Sequence, residues 1–157
     1  MSDAKSHQSS ETTDQTLQRF MGYHLKRAFN VVQADLTRTL APFELRMLTC
    51  TALLLIVDNP GISQSRLADA MDVERPNLVV IVDELEQRDL IMRERVPTDR
   101  RVYALRATLR GRRLATSAVE AVTKHEELLF QGIDKDTREQ VVTALKLIRA
   151  RGGKDTA

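Results

Sequence analysis

A single cysteine, Cys50, excludes an intramolecular disulfide and any cysteine-rich metal site, and it fits a reducing compartment. Histidine is nearly as scarce, and His7, His24 and His125 lack any metal-ligand spacing. No apolar run approaches the roughly 18 to 20 residues of a membrane span. The longest, Ala52 to Val57, is far shorter. Met1 to Asp14 is polar, with neither a basic n-region nor an apolar h-region, so it does not read as a signal peptide. Also missing are a nucleophile–base–orienter set, a glycine-rich phosphate loop and paired carboxylates in an apolar setting. Glu126-Glu127 reads as a solvated helix pair. The expectation is a cytoplasmic protein that is not an enzyme and carries no metal or cofactor. At 157 residues the chain suits one domain with a sizeable core.

What the chain does have is concentrated between residues 60 and 111. Ser63 can cap a short helix, because its hydroxyl accepts from the orphan N–H groups of the next turn. Leu67, Ala68 and Met71 follow at helical spacing. Pro76 suits the first turn of a second helix, where its missing N–H is not needed. Leu78, Ile81, Val82 and Leu85 form the i, i+3, i+4, i+7 stripe of a buried face, which leaves Glu74, Arg75, Asn77 and Val80 pointing away from it. Two such helices with a polar turn at the start of the second make a helix-turn-helix, whose second helix enters a DNA major groove. Ile91 to Val96 then alternates apolar and charged residues, Pro97-Thr98-Asp99-Arg100 reads as a turn, and Arg101 to Leu105 alternates again. A helix-turn-helix followed by a basic hairpin is a winged helix-turn-helix.

Pro60-Gly61-Ile62-Ser63-Gln64, Leu67-Ala68, Leu85-Glu86, Leu90, Arg93, the triplet Asp99-Arg100-Arg101 and Gly111 together resemble the DNA-binding core of the MarR family of bacterial transcriptional regulators. The resemblance implies a mainly α fold with a small β-hairpin wing, flanked by N- and C-terminal dimerisation helices. Asp89-Leu90 departs from the family's Gly-Leu, which predicts a less tightly wound helix exit. Val79-Val80 departs from its usual polar, base-reading residues. The positions placed for DNA contact are Ser63 and Gln64 at the turn and Glu74, Arg75, Asn77, Val79 and Val80 on the second helix. On the wing they are Arg93, Arg95, Thr98, Asp99, Arg100 and Arg101. Arg75 can pair two-pronged with guanine, Asn77 suits adenine or a phosphate, and apolar side chains can meet the thymine methyl.

Charge is distributed to match. Net charge is only +2, yet Arg88 to Arg113 holds nine arginines against three acids, a local +6 that leaves −4 for the rest. A basic wing is what a phosphate-binding surface requires.

Residues 1–13 are Ser/Thr/Gln-rich and read as a disordered tail, as do 152–157, leaving 14–151 as the domain. Thr13 or Asp14 can cap one long helix to about Leu40, and Pro42 can open a second from Phe43 to about Val57 before the breakers Asp58 to Gly61. Thr108 can cap a helix to about Gln131, which Gly132 stops, and Asp134 to Arg149 forms the last. Apolar stripes on the terminal helices would face water unless covered, at roughly 25 cal/mol per Å². A homodimer built from 14–40 and 114–150 is therefore expected, reading a pseudo-palindromic double-stranded operator, and the family resemblance implies the same.

That resemblance also implies an effector pocket lined by residues 17–30, 43–54 and 109–125. Tyr23-His24-Leu25-Lys26-Arg27-Ala28 is similar, more weakly, to members that sense hydroxycinnamoyl-CoA thioesters. On that reading Arg19, Lys26, Arg27 and Arg46 meet phosphates, while Phe20, Tyr23, His24 and Met47 frame an aromatic acyl group. The effector is then an aromatic acid or its CoA thioester, releasing a repressor from DNA, and no membrane is involved. Two alternatives stand beside it: a winged helix that docks protein through Val79-Val80, and a thiol redox regulator through Cys50. His24 and His125 on apolar faces read by default as core or interface residues, and Cys50 as a small core residue.

Overall fold

Six helices and a three-stranded antiparallel sheet form the mainly α, winged architecture that the sequence predicts. The computed structural model describes residues 13–96 and 99–152, with side chains outside 96–102. Apart from residues 13 and 152, the expected tails lie outside the described residues, as does Thr98. The side chains of Asp99, Arg100 and Arg101 lie outside them too. The helices are α1 (Met21–Leu40), α2 (Met47–Asp58), α3 (Gln64–Met71), α4 (Arg75–Gln87), α5 (Leu109–Leu129) and α6 (Lys135–Gly152). The strands are β1 (Ile62–Ser63), β2 (Ile91–Val96) and β3 (Asp99–Ala107), in the order β1-β3-β2. β2 and β3 pair from Ile91↔Ala107 to Arg95↔Tyr103, with an irregularity between Arg95 and Val96. β1 was not foreseen: it is two residues long, too short to show alternation, and pairs with Leu105 and Ala104.

The main core joins α2, α3, α4 and the sheet, with Leu53, Ile56, Leu67, Leu78, Val82, Leu85, Leu90 and Leu105 buried in it. Each such side chain contributes about 1.5–3 kcal/mol by leaving water. A second, smaller core of Leu40, Leu45, Cys50 and Ala118 ties α1, α2 and α5 together. α3 starts as predicted, with the Ser63 hydroxyl accepting from Arg66 N–H at 3.3 Å. α5 starts on Thr108, whose hydroxyl accepts from Gly111 N–H at 2.9 Å.

Three expectations need correction. The first long helix is broken: a 3-10 turn at Leu17–Arg19 and an extended Phe20 (φ −104°, ψ 122°) precede α1. Periodicity cannot see such a break, because apolar residues continue through it. The second helix does not begin at Phe43. Ala41–Phe43 is a 3-10 turn, Glu44 is left-handed, and α2 starts at Met47 with Arg46 N–H donating to Thr49 Oγ1 at 2.9 Å. The exit of α4, expected to be loose, is tightly wound. Asp89 takes the left-handed conformation (φ 55°), and Leu90 N–H reaches back to Leu85 O at 2.9 Å while Asp89 N–H reaches Glu86 O at 2.9 Å. That is the Schellman pattern in which glycine is usual. A side chain at positive φ is strained, so Asp89→Gly is expected to stabilise the protein by about 0.5–1 kcal/mol. Chemical denaturation reads the gain, and an unchanged or lower midpoint contradicts it.

Candidate nucleic-acid interface and effector cleft

α4 buries Leu78, Ile81, Val82 and Leu85 and turns Glu74, Arg75, Asn77, Val79 and Val80 outward. Val80 is 63% exposed and Val79 45%, large apolar groups to leave in water without a partner surface. Beside them a groove of about 320 Å³ is lined by Ser63, Gln64, Ser65, Arg75, Leu78, Val79 and Tyr103. Four expected contact residues therefore meet in one place. Ser65 and Tyr103 were missed; the place of Tyr103 in the alternating stretch Arg101 to Leu105 was the signal available for the second, which pairs with Arg95 near the wing turn.

Arg93 is placed differently from expectation. Its guanidinium pairs with both Asp83 and Glu86 of α4, and only 20% of the side chain is exposed. Burial works against its charge, and the Asp83 and Glu86 carboxylates outweigh it, holding the group above its ordinary value. Arg93 thus clamps β2 to α4 and fixes how the outward turn is aimed, and its charge is already matched. Other cations of the basic stretch are committed as well. Arg88 donates to Glu44 O at 2.6 Å and Phe43 O at 3.1 Å, Arg106 pairs with Glu94 at 2.7 Å, and Arg112 donates to Ala107 O at 2.6 Å. Among the described residues, Arg75, Arg110 and Arg113 have no carboxylate partner.

The expected effector residues do not converge within one chain. An apolar cleft of about 180 Å³ lies between α1, α2 and α5, lined by Leu36, Leu40, Met47, Cys50, Thr51, Leu54, Ala118, Val119, Val122 and Thr123. Its lining comes from the expected stretches 43–54 and 109–125, but α1 reaches it through its C-terminal half and not through 17–30, so Met47 alone of the individually named residues lines it. Arg46 pairs with Glu84 of α4 and borders a separate open cleft of about 600 Å³ that also touches Asn77 and Val80. Arg19, Phe20, Tyr23, His24, Lys26 and Arg27 sit on the 3-10 turn and the first turns of α1, where all but the half-buried Tyr23 are exposed. Lys26 lies 5.9 Å over the Phe29 ring. Burial pushes the Cys50 thiol up, away from the thiolate a redox sensor needs. His125 braces α5 against α1, its Nδ1 lying 2.7 Å from Asp35 Oδ2. Arg38, then His125, hold the Asp35 carboxyl below the usual carboxylate range. Among the described residues no group of three or more His, Cys, Asp or Glu could hold a metal, and no single helix is long and apolar enough to cross a membrane.

The MarR family model matches residues 47–103. A protein assigned as a transcriptional regulatory protein for the hcr operon of Thauera aromatica is 34% identical over 127 residues, covering 80% of this chain and 76% of that one. The chain belongs to the MarR family. Solved structures extend the likeness along nearly the whole fold. The transcriptional repressor CouR bound to a 23-mer DNA duplex has a TM-score of 0.85 at 36% identity, covering 89% of this chain and 99% of that chain. CouR from Rhodococcus jostii RHA1 bound to p-coumaroyl-CoA has a TM-score of 0.77 at 32% identity, covering 84% and 93%. As a family member the chain is a transcriptional regulator, and these relatives are regulators rather than enzymes.

Proposed function

We propose that the chain is a cytoplasmic repressor that binds a pseudo-palindromic double-stranded operator as a homodimer and is released by an aromatic acyl-CoA such as p-coumaroyl-CoA. The observation that carries the DNA reading is the outward turn of α4, where Arg75 and Asn77 stand beside Val79 and Val80 on a helix clamped by Arg93. In this reading α4 enters the major groove, and Ser63, Gln64 and Glu74 border it. The wing, with Arg95, Thr98, Asp99, Arg100 and Arg101, lies along the phosphates and the minor groove. Residues 60–111 are the reading module, and 14–40 and 114–150 join the two copies. One CouR repressor that this chain resembles is bound to a DNA duplex and another to p-coumaroyl-CoA, which supports both halves of the reading. The effector acts by favouring a dimer whose two α4 helices are mis-spaced for the half-sites.

A gel shift with the DNA flanking its own gene tests this, run with p-coumaroyl-CoA, CoA and the free acid. Retention should fall steeply with salt and be reversed by the thioester. Arg75→Ala is expected to cost roughly 1–3 kcal/mol on the operator, most of it at one base pair. An equal loss on random DNA would make Arg75 a phosphate contact only. The exposure of Val79 and Val80 favours a second reading, a winged helix docked on protein, for which no DNA would be retained at any salt.

A further inference from the structure

The 3-10 turn before α1 is folded back on it by a cluster that the DNA interface does not use. One oxygen, Asp14 Oδ2, accepts from Gln18 Nε2 at 2.8 Å, from the Tyr23 hydroxyl, and from Arg27 Nη1 at 3.3 Å. Arg27 Nη1 also donates to the Tyr23 oxygen at 2.6 Å, with its guanidinium 5.4 Å over the ring. The tyrosine thus relays the cation's polarisation onto the carboxylate, a cooperative chain. His24 Nε2 lies 2.8 Å from Gln18 O and braces the turn that carries the glutamine. The Asp14 carboxyl is held below the usual carboxylate range by Tyr23 first and then by Gln18.

As a stabilising ion pair this is poorly placed, because exposed pairs contribute little. As a receptor it is well made: a cation and two neutral donors converge on one anionic oxygen, the arrangement that binds carboxylate and phosphate strongly. The Arg27 side chain is 65% exposed within the single chain. Phe20 and Met21, next along the chain, are 56% and 68% exposed and offer apolar surface beside the charge. We infer that Gln18, Tyr23 and Arg27 form an anion site occupied by the chain's own Asp14, which a phosphate or carboxylate of an amphipathic organic anion displaces on binding. The inference rests on the effector reading above and adds to it an internal competitor. A short tether presents Asp14 at millimolar effective concentration, which sets the threshold an external anion must exceed. If Asp14 fills the site about nine-tenths of the time, apparent affinity for that anion is lowered about tenfold.

Calorimetry on the full chain tests this with inorganic pyrophosphate and CoA as probes. Asp14→Asn is expected to bind both about tenfold more tightly than the native chain, and Asp14→Ala to behave alike. The gain should vanish when Arg27→Ala is added to either. Unchanged or weaker binding in both Asp14 variants, or no binding of either probe to any of them, overturns the inference. Tighter pyrophosphate binding without DNA release by p-coumaroyl-CoA leaves the anion site standing and removes the effector reading. Equal release of DNA from native and Asp14→Asn proteins at equal thioester concentration, with equal affinities, keeps the effector reading and removes the competitor.

Discussion

Gly111→Ala is expected to lower stability by about 3 kcal/mol, the upper end of what overpacking costs, and with it the melting temperature by about 10 °C. A Cβ on Gly111 would stand 1.9 Å from Leu90 O, 2.9 Å from its carbonyl carbon and 3.2 Å from its Cα. These are backbone atoms, so no side chain can swing aside. Leu90 itself is 1% exposed. Its carbonyl also accepts from Thr108 N–H at 3.0 Å and from the Thr108 hydroxyl at 3.2 Å, the residue that caps α5. Relief would therefore have to move the start of α5 away from the wing root, loosening the cap and the core together. Thermal unfolding followed by circular dichroism reads the loss. A variant within 1 kcal/mol of the native protein would show that the α5–wing junction yields more readily than its contacts imply.

Gly111 stood in the sequence as one of the residues that carry the family resemblance, yet its real constraint, the carbonyl of a residue far back in the chain, could not be read there. The same division runs through the molecule. Ser63, Thr108 and the Leu78–Leu85 stripe were legible because caps and helical periods are local, and the structure keeps all of them. Arg93 was legible as a cation of the wing, while its pairing with Asp83 and Glu86 depends on β2 crossing α4, which no local pattern encodes. A count of nine arginines likewise overstated the charge available to DNA, since Arg88, Arg106 and Arg112 are held by their own chain. Asp89 hid its turn because an aspartate gives no sign of the left-handed backbone that a glycine would have announced. Most of the expected effector residues were drawn together from a resemblance along one helix. In the fold that helix passes the apolar cleft at Leu36 and Leu40, well beyond Tyr23 and Arg27.

Leu145→Asp combined with Ile148→Asp is expected to split the proposed homodimer into folded monomers. No residue of α6 is buried within the described chain, and Val141, Val142, Leu145 and Ile148 share one exposed stripe. Leu17, Leu25 and Phe29 leave the N-terminal side in the same condition. Apolar surface on that scale marks an interface. Covering a leucine or isoleucine contributes about 2 kcal/mol, and in a two-fold dimer each substitution acts twice. The pair should therefore cost about 8 kcal/mol of association before the repulsion among four buried carboxylates is counted. Because α6 adds nothing to either core, the winged module should keep its fold, which far-ultraviolet circular dichroism checks. Sedimentation equilibrium should then report a monomer at micromolar concentration. Operator affinity should fall by at least about 100-fold, since a monomer holds one half-site and loses the second as an intramolecular event. Binding to an isolated half-site should be nearly unchanged. If the double variant still sediments as a dimer, the copies associate through some other face, and the stripe on α6 awaits a different partner.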